Sequence, residues 1–155
     1  MRTQREEKLL SQLQKQLELL KKSSLLLNTS WKKCAMIGVK EDYTLEEYEA
    51  FDALTSRFAR TSDILTQKIL GIIDALELEE KGTFLDKVNR AEQRGIISSA
   101  QTLKEIRELR NEIAHEYVAD DLNELYADVL RLSSSLLEIV NSVENYSQRF
   151  LREYK

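Results

Sequence analysis

The sequence predicts an all-α protein, an up-down helical bundle of about five helices, three long and two short. The chain has no proline and only four glycines, and 42% of its residues are hydrophobic and 32% charged, which is typical of helices with charged outer faces. Its hydrophobic residues recur at alternating spacings of three and four, the period of one helix face. No repeat or linker composition interrupts them, so residues 1–155 are expected to form a single domain.

The first long helix is predicted from about Arg2 to Ile37. Its buried seam has one polar position, Ser24, and otherwise consists of apolar residues, namely Leu10, Leu13, Leu17, Leu20, Leu27, Trp31 and Cys34. Further leucines at positions 9, 19, 25 and 26 widen the apolar arc, so the helix is expected to contact two or more neighbours. Gly38 is expected to end the helix, because glycine adopts the left-handed C-cap conformation without a Cβ clash.

The second long helix is predicted to begin after Thr44. Thr44 can cap the backbone amide of Glu47 while Glu47 reaches back, and Tyr43 and Tyr48 occupy the two positions of a hydrophobic staple. The helix is expected to end in the glycine-containing turn at residues 79–82. Its seam comprises Tyr48, Phe51, Thr55, Phe58, Ser62, Leu65, Ile69, Ile72 and Leu76. Because the two long seams have the same pitch, an antiparallel hairpin is predicted.

A short helix and the last long helix are predicted from the same signals. The short helix opens at Thr83, closes at Gly95, and carries on one face Phe84, Leu85, Val88 and Ala91. A capping box at Asp121 and Glu124 precedes the last helix. The seam of that helix consists of Leu122, Leu125, Val129, Leu132, Leu136, Val140, Val143, Tyr146 and Phe150.

The remaining short helix, predicted to start at a capping box of Ser98 and Gln101, carries the most informative stretch of the chain. From Arg110 to Tyr117 the sequence reads Arg-Asn-Glu-Ile-Ala-His-Glu-Tyr and includes the single histidine, His115. These residues gather a guanidinium, an amide, an imidazole and a phenol near a helix end, where burying polar groups is costly. The segment is therefore the candidate functional site.

An ideal helix divides this segment into two faces. Arg110 and Tyr117 lie on the core side, whereas Asn111 and His115 lie on the polar side, in line with Lys104 and Arg107. A guanidinium on an apolar arc cannot lose its proton and needs a carboxylate, a backbone carbonyl or an anionic ligand. Arg110 is therefore expected to be either structurally paired or placed to bind phosphate.

Arg110 and His115 project about 140° apart on an ideal helix. One copy cannot easily direct both side chains at one small ligand, so either the helix distorts near Ala114 or two copies meet across a dimer interface. The dimer is favoured, because a two-fold axis gives one pocket two of every group.

Spacing alone leaves a structural interpretation open, since a histidine near a helix C-terminus is commonly a surface residue that complements the helix dipole. Cys34 lies on an apolar stripe and is expected to be a small buried hydrophobe. With one histidine and no glycine-rich phosphate loop, no metal ion or other cofactor is expected. The net charge of −4 excludes a broad basic field, so no DNA partner is expected. No signal peptide or membrane span is visible, which indicates a cytoplasmic protein without a membrane partner.

The segment from Arg110 to Tyr117 has a recognisable order: arginine, a polar residue, three further residues, histidine, one residue and tyrosine. This pattern resembles the HEPN superfamily of small all-helical proteins, and specifically its HepT-like toxins. The resemblance covers most of the chain, because two long antiparallel helices followed by shorter ones, with the motif on the penultimate helix, is that family's arrangement.

The resemblance implies a homodimer whose two motifs face each other in a cleft and act as a metal-independent endoribonuclease. Arg110 would bind the scissile phosphate, His115 would act as general base or acid in attack by the ribose 2′-hydroxyl, and Asn111 would orient one of them. The product would carry a 2′,3′-cyclic phosphate. Beside the motif, Lys104 and Arg107 are candidate contacts with the RNA substrate.

The resemblance also implies a partner, a minimal nucleotidyltransferase antitoxin that silences the toxin by transferring AMP to the motif tyrosine, here Tyr117. Two alternatives remain. The chain could be a non-catalytic nucleotide- or substrate-binding partner subunit of such a nucleotidyltransferase, or a structural helical adaptor in which the motif has no chemical role.

Overall fold

The computed structural model describes residues 2–78, 82–115 and 122–152. These residues form helices and connecting turns without a strand, as the sequence predicts. In chain order the elements are α1 (Gln4–Ile37), α2 (Leu45–Asp63), a π-helical segment (Ile64–Ile69), α3 (Leu70–Leu76), α4 (Phe84–Gln93), α5 (Ala100–Ala114) and α6 (Leu122–Leu151). Because α2, the π segment and α3 follow one another without a break, they form one long rod, and the predicted pattern of three long and two short helices is confirmed.

Helix α1 and the α2–α3 rod run antiparallel, as the matched seams predict. Three contacts show the direction: Arg5 Nη1 donates to the Ala75 carbonyl at 3.4 Å, the Ser23 and Thr61 hydroxyls hydrogen-bond at 2.6 Å, and Arg57 Nη1 donates to Ser30 Oγ at 2.7 Å. Residue numbers rise along α1 as they fall along the rod. The two helices therefore form a hairpin.

The start and stop signals around the first turn act as predicted. Thr44 Oγ1 accepts from the Glu47 amide at 3.2 Å, and Glu47 Oε1 accepts from the Thr44 amide at 2.9 Å. The rings of Tyr43 and Tyr48 pack with centroids 5.3 Å apart. Gly38 ends α1 with φ 74°, a conformation that glycine adopts without strain. Local sequence chemistry thus determines this corner of the bundle.

The signals around the shorter helices are confirmed only in part. Thr83 caps α4, and Gly95 follows its end with φ 75°. The predicted capping box at Ser98 is wrong, because the N-cap of α5 is Ser99, whose hydroxyl accepts from the Thr102 amide at 3.1 Å. The predicted cap at Asp121 lies outside the described residues.

The core lies between the hairpin and α6. The rings of Phe51 and Tyr126 stack with centroids 4.1 Å apart and an interplanar angle of 8°, and Trp31 Nε1 donates to the Leu130 carbonyl at 2.9 Å. The seams of α1 and α6 are largely buried, as predicted. Helix α1 contacts α2, α3 and α6, so the expectation that it has two or more neighbours is confirmed, although 44% of Leu19, 59% of Leu25 and 51% of Leu26 are exposed. In the described ranges, no helix combines the length and apolar character needed to cross a membrane.

The π segment shifts the buried face of the rod by one residue. The seam predicted at Ile72 and Leu76 is only half-buried, whereas Ile73 and Asp74 are buried. The amide of Leu70 donates to the Leu65 carbonyl, five residues earlier, as in a π turn. Buried pairs then recur every four residues, at 61/62, 65/66, 69/70 and 73/74. The wider turn keeps these pairs on one face, and regular helical periodicity cannot predict it.

The cap at Thr44 provides a test of how the second helix begins. Thr44→Ala removes the acceptor for a first-turn amide and should lower the free energy of unfolding by about 1 kcal/mol. The measurement is chemical denaturation followed by circular dichroism. Thr29→Ala is the matched control, because Thr29 lies exposed within α1 and donates to the Leu25 carbonyl, so its loss should leave stability unchanged or slightly raised. Equal losses in both variants would contradict the assigned role of the cap.

Candidate functional site

The first functional side chain, Arg110, forms a two-pronged ion pair with Asp63. Arg110 Nε donates to Asp63 Oδ1 at 2.6 Å, and Arg110 Nη2 donates to Asp63 Oδ2 at 2.8 Å. The two side chains are 26% and 31% exposed. The pair joins the last turn of α5 to the final residue of α2. Of the two roles predicted for Arg110, the structural pairing is therefore present, while the guanidinium still reaches solvent.

Asp63 fixes the direction of Arg110 and favours its charged form. The hydrogen bonds to the Asp63 carboxylate raise the pKa of the guanidinium above its usual value, which outweighs the opposing effect of partial burial. Gln67 Nε2 also approaches Asp63 Oδ1, at 3.4 Å. Sequence reasoning required a carboxylate for Arg110 but did not identify this one, because 47 residues separate the partners and no local pattern distinguishes Asp63 from other helix-surface acids.

His115 lies just beyond the helix and is exposed. Helix α5 ends at Ala114, and His115 has extended backbone, with φ −94° and ψ 152°. Its amide donates to the Glu112 carbonyl at 3.1 Å. The projection of His115 from an ideal helix is therefore wrong, and the change of backbone near Ala114, which was the less favoured alternative, is present. His115 is consequently not held to the face opposite Arg110.

The other predicted residues differ in their surroundings. Asn111 is exposed on the last turn of α5, and Lys104 is half-buried on the same helix. The guanidinium of Arg107 lies 4.7 Å from the ring centroid of Phe84, so it packs on α4 through a cation–π contact. Tyr117, the predicted modification site, lies outside the described residues. The structure thus places Arg110, Asn111 and His115 near one end of α5 and directs Arg107 elsewhere.

A second polar cluster, which the sequence analysis did not identify, surrounds Asp74. Although Asp74 is only 7% exposed, its carboxylate accepts from Arg90 Nη2 at 2.8 Å and from Arg94 Nη1 at 2.9 Å. Nearby, the Tyr146 hydroxyl donates a hydrogen bond to the Glu77 carboxylate. Burial, and to a smaller extent this hydrogen bond, raises the pKa of the Tyr146 phenol. This cluster ties α3 to α4 and α6. Its paired charges indicate a structural role.

Neither Cys34 nor the potential metal ligands among the described residues form a further reactive centre. Cys34 is fully buried, and burial raises the pKa of its thiol to about 11. A thiol in that environment is inert, which agrees with its interpretation as a small buried hydrophobe. In residues 2–78, 82–115 and 122–152, no three histidine, cysteine or acidic side chains form a group able to hold a metal ion.

The fold and the site together define an all-α bundle with an anchored arginine and an exposed histidine at the end of a short helix. No protein-family model, curated protein or solved structure matches the chain in the three comparisons. The geometry of this site and the motif that it contains are therefore the features that bear on function.

A double-mutant cycle tests whether Asp63 and Arg110 form one unit. Asp63→Ala, Arg110→Ala and the double variant should give a coupling free energy of about 1–2 kcal/mol in equilibrium unfolding, because the pair is two-pronged and two-thirds shielded from solvent.

The matched control is the pair between Arg131 and Glu105, which meets at 3.3 Å with side chains 60% and 38% exposed. Solvent screening should reduce its coupling to about 0.3 kcal/mol or less. The same coupling in both cycles would mean that the Arg110–Asp63 geometry gives no special stability.

Proposed function

We propose that this protein is a metal-independent endoribonuclease toxin that cleaves RNA as a homodimer and leaves a 2′,3′-cyclic phosphate. The observation that carries the proposal is the hydrogen bonding of Arg110. Its ion pair with Asp63 uses one N–H of Nε and one of Nη2. A guanidinium has five N–H donors, so three remain without a hydrogen-bond partner among the described residues.

In this proposal Arg110 binds the scissile phosphate. The Asp63 carboxylate fixes the guanidinium plane before substrate arrives, so its remaining donors need little reorganisation to meet phosphate oxygens. Arginine suits this role better than lysine, because its planar fork matches two oxygens at once. Asp63 is therefore a positioning residue in this mechanism, acting through Arg110.

His115 supplies the proton transfer. As a general base it removes the proton from a ribose 2′-hydroxyl, and the resulting oxygen attacks the adjacent phosphorus. The P–O5′ bond breaks, and the leaving oxygen takes a proton from a general acid, which gives a 2′,3′-cyclic phosphate and a 5′-hydroxyl. The chain has one histidine, and a second imidazole comes from His115 of a second copy. Asn111, exposed beside His115, orients the imidazole or the phosphate.

Regulation of this activity is proposed to act at Tyr117. A minimal nucleotidyltransferase antitoxin would transfer AMP to the phenol oxygen, with pyrophosphate leaving from ATP. The added phosphodiester would carry negative charge into the neighbourhood of Arg110 and occupy volume that substrate needs. The guanidinium would then pair with the wrong phosphate.

The proposed roles of Arg110 and His115 can be tested by RNA cleavage and by growth of an expressing host. His115→Ala and Arg110→Ala should each reduce cleavage at least about 100-fold and relieve growth inhibition. Glu108→Ala, an exposed change on the same helix, is the control and should behave as wild type. Circular dichroism should show that all variants remain folded.

Three outcomes would contradict the proposal: a non-toxic wild type, an alanine variant as active as wild type, or cleavage abolished by a chelator. If the purified protein binds a nucleotidyltransferase tightly but cleaves no RNA, the alternative function as a non-catalytic partner subunit replaces the ribonuclease.

The regulatory step has a separate test. After co-expression with a neighbouring nucleotidyltransferase, intact-mass analysis should show one added adenylyl group per chain, and peptide analysis should locate it on Tyr117. Tyr117→Phe should stay unmodified and toxic in the same host, because phenylalanine offers no oxygen for the transfer. Modification elsewhere in the chain, or silencing of Tyr117→Phe, would exclude this mechanism.

A further inference from the structure

Two open grooves meet on the side of the bundle where α1 faces the α2–α3 rod. The first has a volume of about 590 Å³ and lies between α1, α3 and α4, with Gln12, Gln67 and Gly71 in its lining. The second has a volume of about 790 Å³ and lies between α1, the end of α2 and the π segment. The grooves share Gln16, Gln67 and Lys68. They therefore form one channel along the hairpin.

Five of the described side chains that line this channel are cationic, and we call them the cationic track. Lys15, Lys68 and Lys87 line the first groove. The second groove is lined by Lys22 and Arg60 and shares Lys68 with the first. None forms an ion pair or hydrogen bond with another described residue. Lys87 Nζ lies 3.6 Å from the position that a Cβ atom would occupy if Gly71 carried a side chain. The Lys87 ammonium thus reaches across the first groove toward α3.

The acids in the channel do not neutralise the track. Among the described residues that line the channel, the acids are Asp63 and Asp74. Asp63 is paired with Arg110, and Asp74 is paired with Arg90 and Arg94. Glu18 lies between Lys15 and Lys22 in the sequence but lines neither groove. Although the net charge of the chain is −4, the described lining of this concave strip carries five cations and no acid that lacks a basic partner.

The track leads to the candidate site. Asp63, which lines the second groove, accepts both hydrogen bonds from Arg110. Lys15 and Lys22 are seven residues apart on one helix, which corresponds to about 11 Å. That distance spans only a few nucleotides of a single strand. A strand in the channel would thus contact several lysines before reaching the guanidinium.

We infer that the cationic track binds the sugar–phosphate backbone of single-stranded RNA and guides it toward Arg110. The choice of RNA rests on the proposed function, whereas the phosphate chemistry follows from the charges in the channel. Its concave shape fits an extended polyanion better than a flat membrane surface. The glutamine amides in the first groove add neutral donors for phosphate and ribose oxygens.

The lining also indicates how binding occurs. No aromatic side chain occurs among the described residues that line the two grooves, so these residues do not provide the base stacking that strengthens many single-strand sites. Leu19 and Leu26, half-exposed beside the second groove, offer only apolar contact to bases. Affinity must therefore come mainly from phosphate contacts, with strong salt dependence and little sequence preference.

Fluorescence anisotropy with a labelled 2′-O-methyl RNA of about twelve nucleotides tests this inference. The methyl group prevents attack by the 2′ oxygen, so the wild-type chain can be used without cleavage. Lys15→Gln/Lys68→Gln removes two track charges. At about 0.1 M salt it should bind about 25-fold more weakly. The slope of the logarithm of its binding constant against the logarithm of the salt concentration should be smaller in magnitude by about 1.4, because each phosphate contact on a single strand contributes about 0.7.

The matched control is Lys32→Gln/Lys33→Gln, which removes the same charge from exposed positions of α1 that line neither groove. Its affinity should stay within about twofold of wild type. Equal weakening of both double variants, unchanged binding by the track variant, or no RNA binding by wild type would each overturn the inference. Track-dependent binding of ATP without RNA binding would overturn it in favour of a nucleotide site.

The two proposals can fail separately. RNA that binds through the track but is not cleaved would refute the ribonuclease while supporting the track. If the protein cleaves RNA but the Lys15 and Lys68 side chains contribute nothing to RNA binding, the track is refuted and the ribonuclease proposal stands.

Discussion

The ion pair between Arg110 and Asp63 fixes the polar end of α5, on which the candidate site depends. The buried residues of α5 end at Leu109, and Ile113 is only partly buried. Hydrophobic packing therefore holds the first part of the helix more firmly than its last turn. The forked contact with Asp63 anchors that turn just before the helix ends, so it determines where Arg110 points and where the chain leaves toward His115.

The π segment explains how one rod supports two different charge clusters. Asp63 is the last residue of α2, so regular helix geometry sets its direction toward α5. The extra residue per turn in the π segment changes the direction of later side chains only. It turns Ile73 and Asp74 inward, and Asp74 there meets Arg90 and Arg94 of the neighbouring segment. A regular helix would place these positions differently, and the α3–α4 cluster would lose its centre.

The sequence correctly predicts the features that local chemistry determines. The caps at Thr44 and Thr83, the glycine ends at Gly38 and Gly95, and the seam of α6 all depend on residues a few positions apart. These signals are sufficient for the fold class, the number of helices and the antiparallel hairpin. They also place the polar segment at the end of α5.

The features that were missed depend on interactions without a local signal. Asp63 meets Arg110 across 47 residues, and the need for a carboxylate does not say which one. Ser98 and Ser99 are both good caps, and only tertiary packing selects Ser99. Helix α5 ends at Ala114 without a glycine or proline at His115, so the helical projection extended one residue too far. For that reason a dimer can no longer be inferred from the angle between Arg110 and His115. The proposed dimer rests instead on the single histidine of each chain, because a second imidazole at the site must come from a second copy.

Arginine and lysine have different roles in this chain, and net charge conceals the difference. The described ion pairs engage Arg90, Arg94, Arg110 and Arg131, whereas Lys40 is the lysine that takes part. Forked guanidinium groups suit fixed pairing, while flexible ammonium groups tolerate a strand whose phosphates vary in position. Since Arg90, Arg94 and Arg110 pair with the described acids of the channel, the four lysines of the track and Arg60 have no acid partner among the described residues. In the proposed ribonuclease, anchoring of the site and attraction of RNA are therefore assigned to separate residues and can be altered independently.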